Sequence, residues 1–303
     1  MSYHILHILS HGSMLARDRG HLVCRPAKDA SDARERRMAL EDIRAVVIAA
    51  RGVTLTSSAV SGILGHEGII LHCDEAYRPV GVTVPLPRTI DPKAFLNQTR
   101  QPKPLNERLW NGLLRGKTQN QRAVLAERKL FSEYLDRAAG APRVDEGNAA
   151  RKYWQLFFPA IGWASSGRDR RLDNPPNQML NYGYTVLATL CHRSIVIHGL
   201  LPMLGVGHRP GYRNDPLVYD LMEPYRPFVD RLLAEFMVQP DISMEAWCRA
   251  VGNGLREVRV AHDQGRVKLM DAIDFSVRSL VECYRSLSSK PLWIPAVPVG
   301  EAA

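Results

Sequence analysis

The chain has 303 residues, 45% of them hydrophobic, with 40 Lys+Arg against 31 Asp+Glu and a formal net charge of +9. Length and apolar content are enough for a full core in two domains, and no run approaches the roughly 18 apolar residues of a membrane span, so no membrane is expected among the partners. An excess of cations, most of them arginine, points instead to a polyanion.

The N-terminal stretch Met1 to Ser10 lacks a basic lead, a long apolar core and a cleavage site, so a cytoplasmic location is expected. Tyr3–Leu9, Ser13–Ala16, Leu22–Arg25, Ala45–Ala49, Ile69–Cys73 and Val80–Val84 are short apolar runs separated by turn signals and read as strands of a small sheet. Between two of them, Thr56 to Gly65 opens on hydroxyl caps and carries Val60, Ile63 and Leu64 on one side, which predicts one short helix covering one sheet face. The closely spaced prolines of Pro79 to Pro87 end the sheet region, because proline cannot donate to a ladder. The first domain is therefore set at residues 1–86 and the second at 87–303.

Beyond that limit the apolar period becomes helical. A helix starts at Asp91-Pro92, a long one runs from Asn106 to about Ala139, and others cover Glu146–Phe158, Pro176–Ile197, Pro216–Val238, Met244–Leu255 and Val267–Ser286. The tail from Ser288 to Ala303 is rich in proline and reads as irregular. The fold class is thus α+β, a small N-terminal β-sheet domain followed by a larger all-helical domain. Cys24, Cys73, Cys191, Cys248 and Cys283 are odd in number and never spaced Cys-x-x-Cys, which argues against a disulfide framework and a cysteine zinc site.

The densest chemistry lies between His208 and Pro227. Asp220 and Glu223, three apart, share one helix face, and a Gly/Pro-bearing loop returns His208 toward it. Two carboxylates and an imidazole suit a hard cation such as Mg2+ or Mn2+; the alternative is a solvated helix face beside a loop histidine. Pro224 and Pro227 cannot donate to the carbonyls of Asp220 and Glu223. Either those carbonyls open to hold groups around the acids, or the prolines sit in a first turn where the loss is small. Upstream, Glu146 stands at a helix start, where it serves as a capping acid or as a ligand. The loop Ser165 to Asn177 crowds Arg168, Arg170 and Arg171, and Arg209 and Arg213 flank His208; such arginines are either solvated or in contact with phosphate. Asn177, Asn181 and Tyr184 form a polar stripe on an otherwise apolar helix, which is costly unless satisfied or in use.

Three segments, Glu146-Gly-Asn-Ala-Ala-Arg-Lys-Tyr-Trp154, Leu172-Asp-Asn-Pro-Pro-Asn-Gln-Met-Leu-Asn-Tyr-Gly-Tyr184 and Leu217-Val-Tyr-Asp-Leu-Met-Glu-Pro-Tyr-Arg-Pro227, occur in this order with His208 between the last two. Together with Ile43 to Val60 and Gly68-Ile-Ile-Leu71, they resemble the motifs of the CRISPR-associated endonuclease and integrase of spacer acquisition, most closely its type II members. The likeness spans most of the chain. It implies that Glu146, His208 and Glu223 are ligands of Mg2+ or Mn2+, with Asp220 a further catalytic acid, and no ligand position is substituted. The loop Gly207 to Pro216 departs from the family in carrying more arginine. The candidate DNA contacts, from the arginine-rich loops and the polar stripe, are Arg168, Arg170, Arg171, Arg209, Arg213, Asn177 and Tyr184.

The resemblance further implies insertion of captured DNA into a CRISPR array by 3′-hydroxyl attack on repeat phosphodiesters, with no nucleotide cofactor. Implied partners are double-stranded DNA (spacer precursor and repeat), a second copy of the chain joined through the β domain, and the small second adaptation protein in a heterohexamer. The type II effector nuclease is a further implied partner. Two other classes fit the same residues in part: a branched-DNA repair nuclease, and a non-enzymatic nucleic-acid-binding scaffold, which leaves Glu146, His208 and Glu223 without a purpose.

Overall fold

The computed structural model describes residues 3–27, 34–164, 167–169, 171–172, 174–209, 211 and 214–298. Arg170 and Arg213, two of the expected DNA contacts, lie outside the described residues. The chain divides into two compact units, Met1–Arg88 and Thr89–Ala303, against an expected limit at residue 86.

The first unit holds β1 His4–Ile8, β2 Met14–Asp18, β3 His21–Arg25, β4 Arg36–Ala39, β5 Ile43–Ile48, β6 Thr54–Leu55, α1 Ser57–Gly65, β7 Ile69–Cys73 and β8 Pro79–Thr83. These strands form two four-stranded sheets, ordered β1-β5-β7-β8 and β4-β3-β2-β6, where the sequence reads as one. The run Ile43-Arg-Ala-Val-Val-Ile48 explains the first: β5 pairs in parallel with both β1 and β7, and Ala45, Val46 and Val47 are fully buried, as expected of a central strand. Thr56 caps α1 by accepting from the Ala59 amide. The helix packs against β2, β3 and β7, so it touches both sheets and not a single face. Ile8, Leu15, Leu22, Leu40, Ile43, Val46, Ala59, Ile63 and Ile70 form the core that results.

The second unit contains α2 Pro92–Arg100, α3 Lys103–Glu127, α4 Glu133–Gly140, α5 Glu146–Ala160, α6 Pro175–Ile197, α7 Pro216–Met222, α8 Arg226–Phe236, α9 Met244–Glu257 and α10 Leu269–Ser286. It is not all-helical. Arg259–His262 and Gly265–Lys268 pair as an antiparallel hairpin, β9 and β10, and Gly265, where the second strand leaves the turn, has a positive φ of 98°. The expected single helix from Asn106 to Ala139 is two, because the chain reverses at Lys129, whose φ is +59°, and restarts at Ser132, which caps the Leu135 amide.

The stretch expected as one helix over Pro216–Val238 breaks at the prolines into α7, a 3-10 turn Glu223–Tyr225, and α8 with Pro227 in its first turn. The Glu223 amide donates to the Asp220 carbonyl and the Arg226 amide to the Glu223 carbonyl, so tighter bonds satisfy both groups that the prolines would leave open. α6 is buried nearly all round and packs against α7, α8, α9 and α10, as a central helix of a bundle does. The tail after α10 is irregular yet pinned: Asn120 of α3 donates to the carbonyls of Pro224 and Pro295 and accepts from the Val297 amide. Gly112 and Gly116 leave α3 without side chains where Leu292 and Ile294 press in, a Cβ there falling 2.9 and 2.7 Å away.

Candidate active site

The helical unit contributes the middle of α3, the start of α5, the loop before α7, α7 itself, the 3-10 turn after it and the start of α8. At the start of α5, the Asp145 carboxylate accepts from the Asn148 amide at 3.1 Å and does the capping. Glu146 is thereby released from that role, and its Oε1 lies 3.0 Å from the Lys117 ammonium of α3. Glu223, at the turn, has a side chain only 4% exposed. Its Oε1 accepts from Arg226 Nε at 2.9 Å, and its Oε2 lies 2.6 Å from the same Lys117. Burial by itself would push the Glu223 carboxyl up, but the Arg226 guanidinium and the Lys117 ammonium outweigh it and hold the group at about 2. The same carboxylates, Glu223 before Glu146, overcome the burial penalty on Lys117 and hold its ammonium above the ordinary lysine range.

His208 is set by a different device. The Asp220 carboxylate, fully buried, accepts from the amides of Val206 at 2.6 Å, Gly207 at 2.9 Å and His208 at 3.1 Å, and from His208 Nδ1 at 2.5 Å. Three successive amides wrapped on one carboxylate require small residues. A Cβ on Gly205 would fall 2.6 Å from the His208 carbonyl and 2.7 Å from Asp220 Oδ2, and one on Gly207 would fall 2.2 Å from the Trp110 ring. Trp110 also meets the His208 ring edge to face at 5.3 Å. A carboxylate only accepts, so Nδ1 is the nitrogen that donates to Asp220 and Nε2 is the one left for a ligand, the arrangement that orients a metal-binding histidine. The Asp220 oxygens face the loop amides and the imidazole, and so position His208.

Among the described residues no group of three or more His, Cys, Asp or Glu side chains is arranged to hold a metal ion. Glu146 and Glu223 are brought together, but on the Lys117 ammonium, and His208 is brought to Asp220. The donor set nevertheless suits a hard cation. Two carboxylates converge on one cation position, and Glu223 Oε2, though paired with Lys117 by distance, is buried without a hydrogen bond of acceptable angle.

The expected DNA contacts divide. Arg209 is exposed. Arg171 is exposed but clamped within its own loop by both oxygens of Asp169, at 3.1 and 3.0 Å. Arg168 stacks over Tyr184 at 4.7 Å and Trp154 at 5.5 Å and donates to Asn181. Asn177 and Tyr184 are corrections. Asn177 is fully buried and donates to Asn174, which caps α6; Tyr184 is 5% exposed and its hydroxyl donates to Asp230. The polar stripe is therefore used inside the protein: Asn181 and Tyr184 are paired with Arg168 and Asp230, while Asn177 pairs through its amide nitrogen and its Oδ1 is buried without a partner. Arg226 covers Tyr184 as well, at 4.7 Å, so that ring connects Arg168, Arg226 and Asp230 beneath Glu223. Burial holds the Asp230 carboxyl up at about 6, only partly offset by hydroxyls donated from Tyr184 and Tyr153 and by the two arginines.

Lys117 and Trp110 carry no motif and are missed in the sequence, where this stretch reads only as part of one long helix. One signal was available. Lys117-Thr-Gln-Asn-Gln-Arg122 is polar for longer than one helical turn, so part of it must face inward.

A small two-sheet domain is followed by a helical domain that pairs two glutamates on one lysine and a histidine on a buried aspartate. The family model described as CRISPR associated protein Cas1 matches residues 6–247, and the chain belongs to that family. It is 28% identical over 269 residues to a CRISPR-associated endonuclease Cas1 of Neisseria meningitidis serogroup C (strain 8013), covering 85% of this chain and 86% of the relative. Among solved structures it is similar to a casposase bound to integration product, with a TM-score of 0.80, 19% identity and coverage of 96% of this chain and 94% of the other. It is also similar to a chain of a Cas6-RT-Cas1–Cas2 complex, with a TM-score of 0.71, 21% identity and coverage of 97% of this chain and 36% of that one. No helix among the described residues is long and apolar enough to cross a membrane.

Proposed function

We infer that this protein joins captured DNA fragments to the repeats of a CRISPR array, by an attack of the fragment's 3′-hydroxyl on a repeat phosphodiester. The observation that carries this reading is the convergence of Glu146 and Glu223 on one cation position. Family membership and the likeness to an integration complex support it.

Glu146, Glu223 and Nε2 of His208 would hold Mg2+ or Mn2+. Bound there, the cation supplies Lewis-acid activation and neutralises charge on the phosphate oxygens. The chain's own residues do the rest. Arg226 fixes one oxygen of Glu223 so that the other faces the cation position, and Asp220 fixes the tautomer of His208. In the exchange, a bond forms between phosphorus and the attacking 3′-oxygen, and the bond to the repeat strand's leaving 3′-oxygen breaks. The proton lost by one hydroxyl is gained by the other, so no nucleotide cofactor is consumed.

For assembly, we infer a homodimer through the β domain. β8 is an edge strand, and Val80 in it and Leu86 beyond it are 67% and 88% exposed. The Cas6-RT-Cas1–Cas2 neighbour supports the small second adaptation protein as a partner. In this reading the two form a heterohexamer, and the type II effector nuclease is a further partner. Incubation with fragments bearing 3′-hydroxyls and a repeat-containing plasmid tests the function. Joined products are expected; cleavage of branched DNA without joining would favour a repair nuclease.

A further inference from the structure

Lys117 has a more specific part in this site than neutralising it. α3 is docked against the Glu223 turn by the residues around Lys117: Gly116 lies under Pro224, 3.4 Å from its Cβ by the position of an added methyl, and Asn120 donates to the Pro224 carbonyl at 2.8 Å. That docking holds the root of a flexible four-carbon stem beside the carboxylates. The ammonium reaches both, at 3.0 Å from Glu146 Oε1 and 2.6 Å from Glu223 Oε2, with its side chain only 11% exposed. Arg226, on the other oxygen of Glu223, is held under the Tyr184 ring and has no such freedom.

We propose that Lys117 and the divalent cation compete for the same two carboxylates, so that the metal enters only when the ammonium releases at least one of them. The inference rests on the reading of Glu146 and Glu223 as ligands. Charge supports it: Glu146 and Glu223 against Lys117 and Arg226 cancel formally, and a divalent ion added with every partner kept would place two uncompensated charges in a largely buried site. Crowding supports it as well, since Oε2 of Glu223 has an ammonium at 2.6 Å where a cation would bind. Lys117 is thus a positioning residue that holds the two carboxylates together and sets how tightly the metal is taken up.

The test is calorimetric titration of the full chain with Mn2+ alone, comparing wild type, Lys117→Met and Glu223→Gln. Lys117→Met should bind Mn2+ at least about tenfold more tightly. It should also melt lower than wild type in EDTA and gain more from added Mn2+, because Glu146 and Glu223 then repel until the metal joins them. Equal or weaker Mn2+ affinity in Lys117→Met overturns the competition. Glu223→Gln should lose the site whatever Lys117 does; wild-type Mn2+ binding by that variant would instead overturn the ligand reading, and the competition with it. Should Lys117→Met fail to fold, a crystal structure of the wild type with Mn2+ decides. Lys117 Nζ moved beyond about 4 Å from one carboxylate supports the proposal, and Nζ still paired with both overturns it.

Discussion

The imidazole Nδ1 of His208 lies 2.5 Å from Asp220 Oδ1, and the same carboxylate collects the amides of Val206, Gly207 and His208. One buried acid therefore fixes the loop's path and the histidine's tautomer together. Asp220→Asn puts an amide donor against three amide donors and the imidazole N–H. Strand joining should fall by about 10- to 100-fold and stability by more than about 2 kcal/mol, read by a joining assay and by urea unfolding. A variant that keeps full activity would separate His208 orientation from Asp220.

Gly207 and Trp110 should behave as a pair. Gly207→Ala drives a methyl into the indole, displaces His208 and should abolish joining. Adding Trp110→Ala opens the space and should recover part of the loss, which a double-mutant cycle on joining rate measures. Additive losses would mean that the two residues do not act through this contact.

Arg168 and Arg209 should separate into packing and phosphate contact. Arg168→Ala removes stacking on two rings and a hydrogen bond to Asn181, so it should cost about 1–3 kcal/mol of stability. The log-log salt slope of DNA binding should stay as in wild type. Arg209→Ala, on an exposed side chain, should leave stability unchanged and flatten that slope by about 1.

Asp230 gives the pH dependence of the core beneath the site. Its carboxyl is held up at about 6 in the fold against an ordinary 3.8, so the folded state binds this proton more tightly than the unfolded chain. The stabilisation is complete below about pH 4 and lost as pH rises through about 6. Asp230→Asn is neutral throughout and should lack that loss. The difference in stability between variant and wild type should shift toward the variant by on the order of 2 kcal/mol from pH 4 to 7. A difference independent of pH would show that Asp230 titrates normally in the fold.

Much of the architecture is legible in the sequence because period and punctuation agree there. Asp91-Pro92 and Asp145-Glu146 start helices where caps and first-turn residues say they should. Pro224 and Pro227 mark a break in the helical run, but spacing alone left open whether their partner carbonyls stay free; the 3-10 bonds from Glu223 and Arg226 close both. What the sequence obscured depends on distant neighbours. The hairpin Arg259–Lys268 hides between two helices because its strands are short and Val258 leads directly into it. Lys117 pairs with Glu146 and Glu223, 29 and 106 residues further on, and no local pattern announces such a contact. Asn177 and Tyr184 were visible as a stripe, but whether a stripe faces DNA or a buried Asp230 is decided by tertiary packing.

If Glu146, His208 and Glu223 form one site for metal-dependent strand joining, the decisive measurement is joining of a 3′-hydroxyl fragment to repeat-containing DNA in Mg2+ or Mn2+ by Glu146→Ala, His208→Ala and Glu223→Ala, with DNA affinity measured on the same preparations. Each variant is expected to lose joining while binding DNA within a few-fold of wild type, because phosphate contacts dominate affinity. Joining at near wild-type rate by the three variants, or joining by wild type that persists in EDTA, would contradict this site assignment.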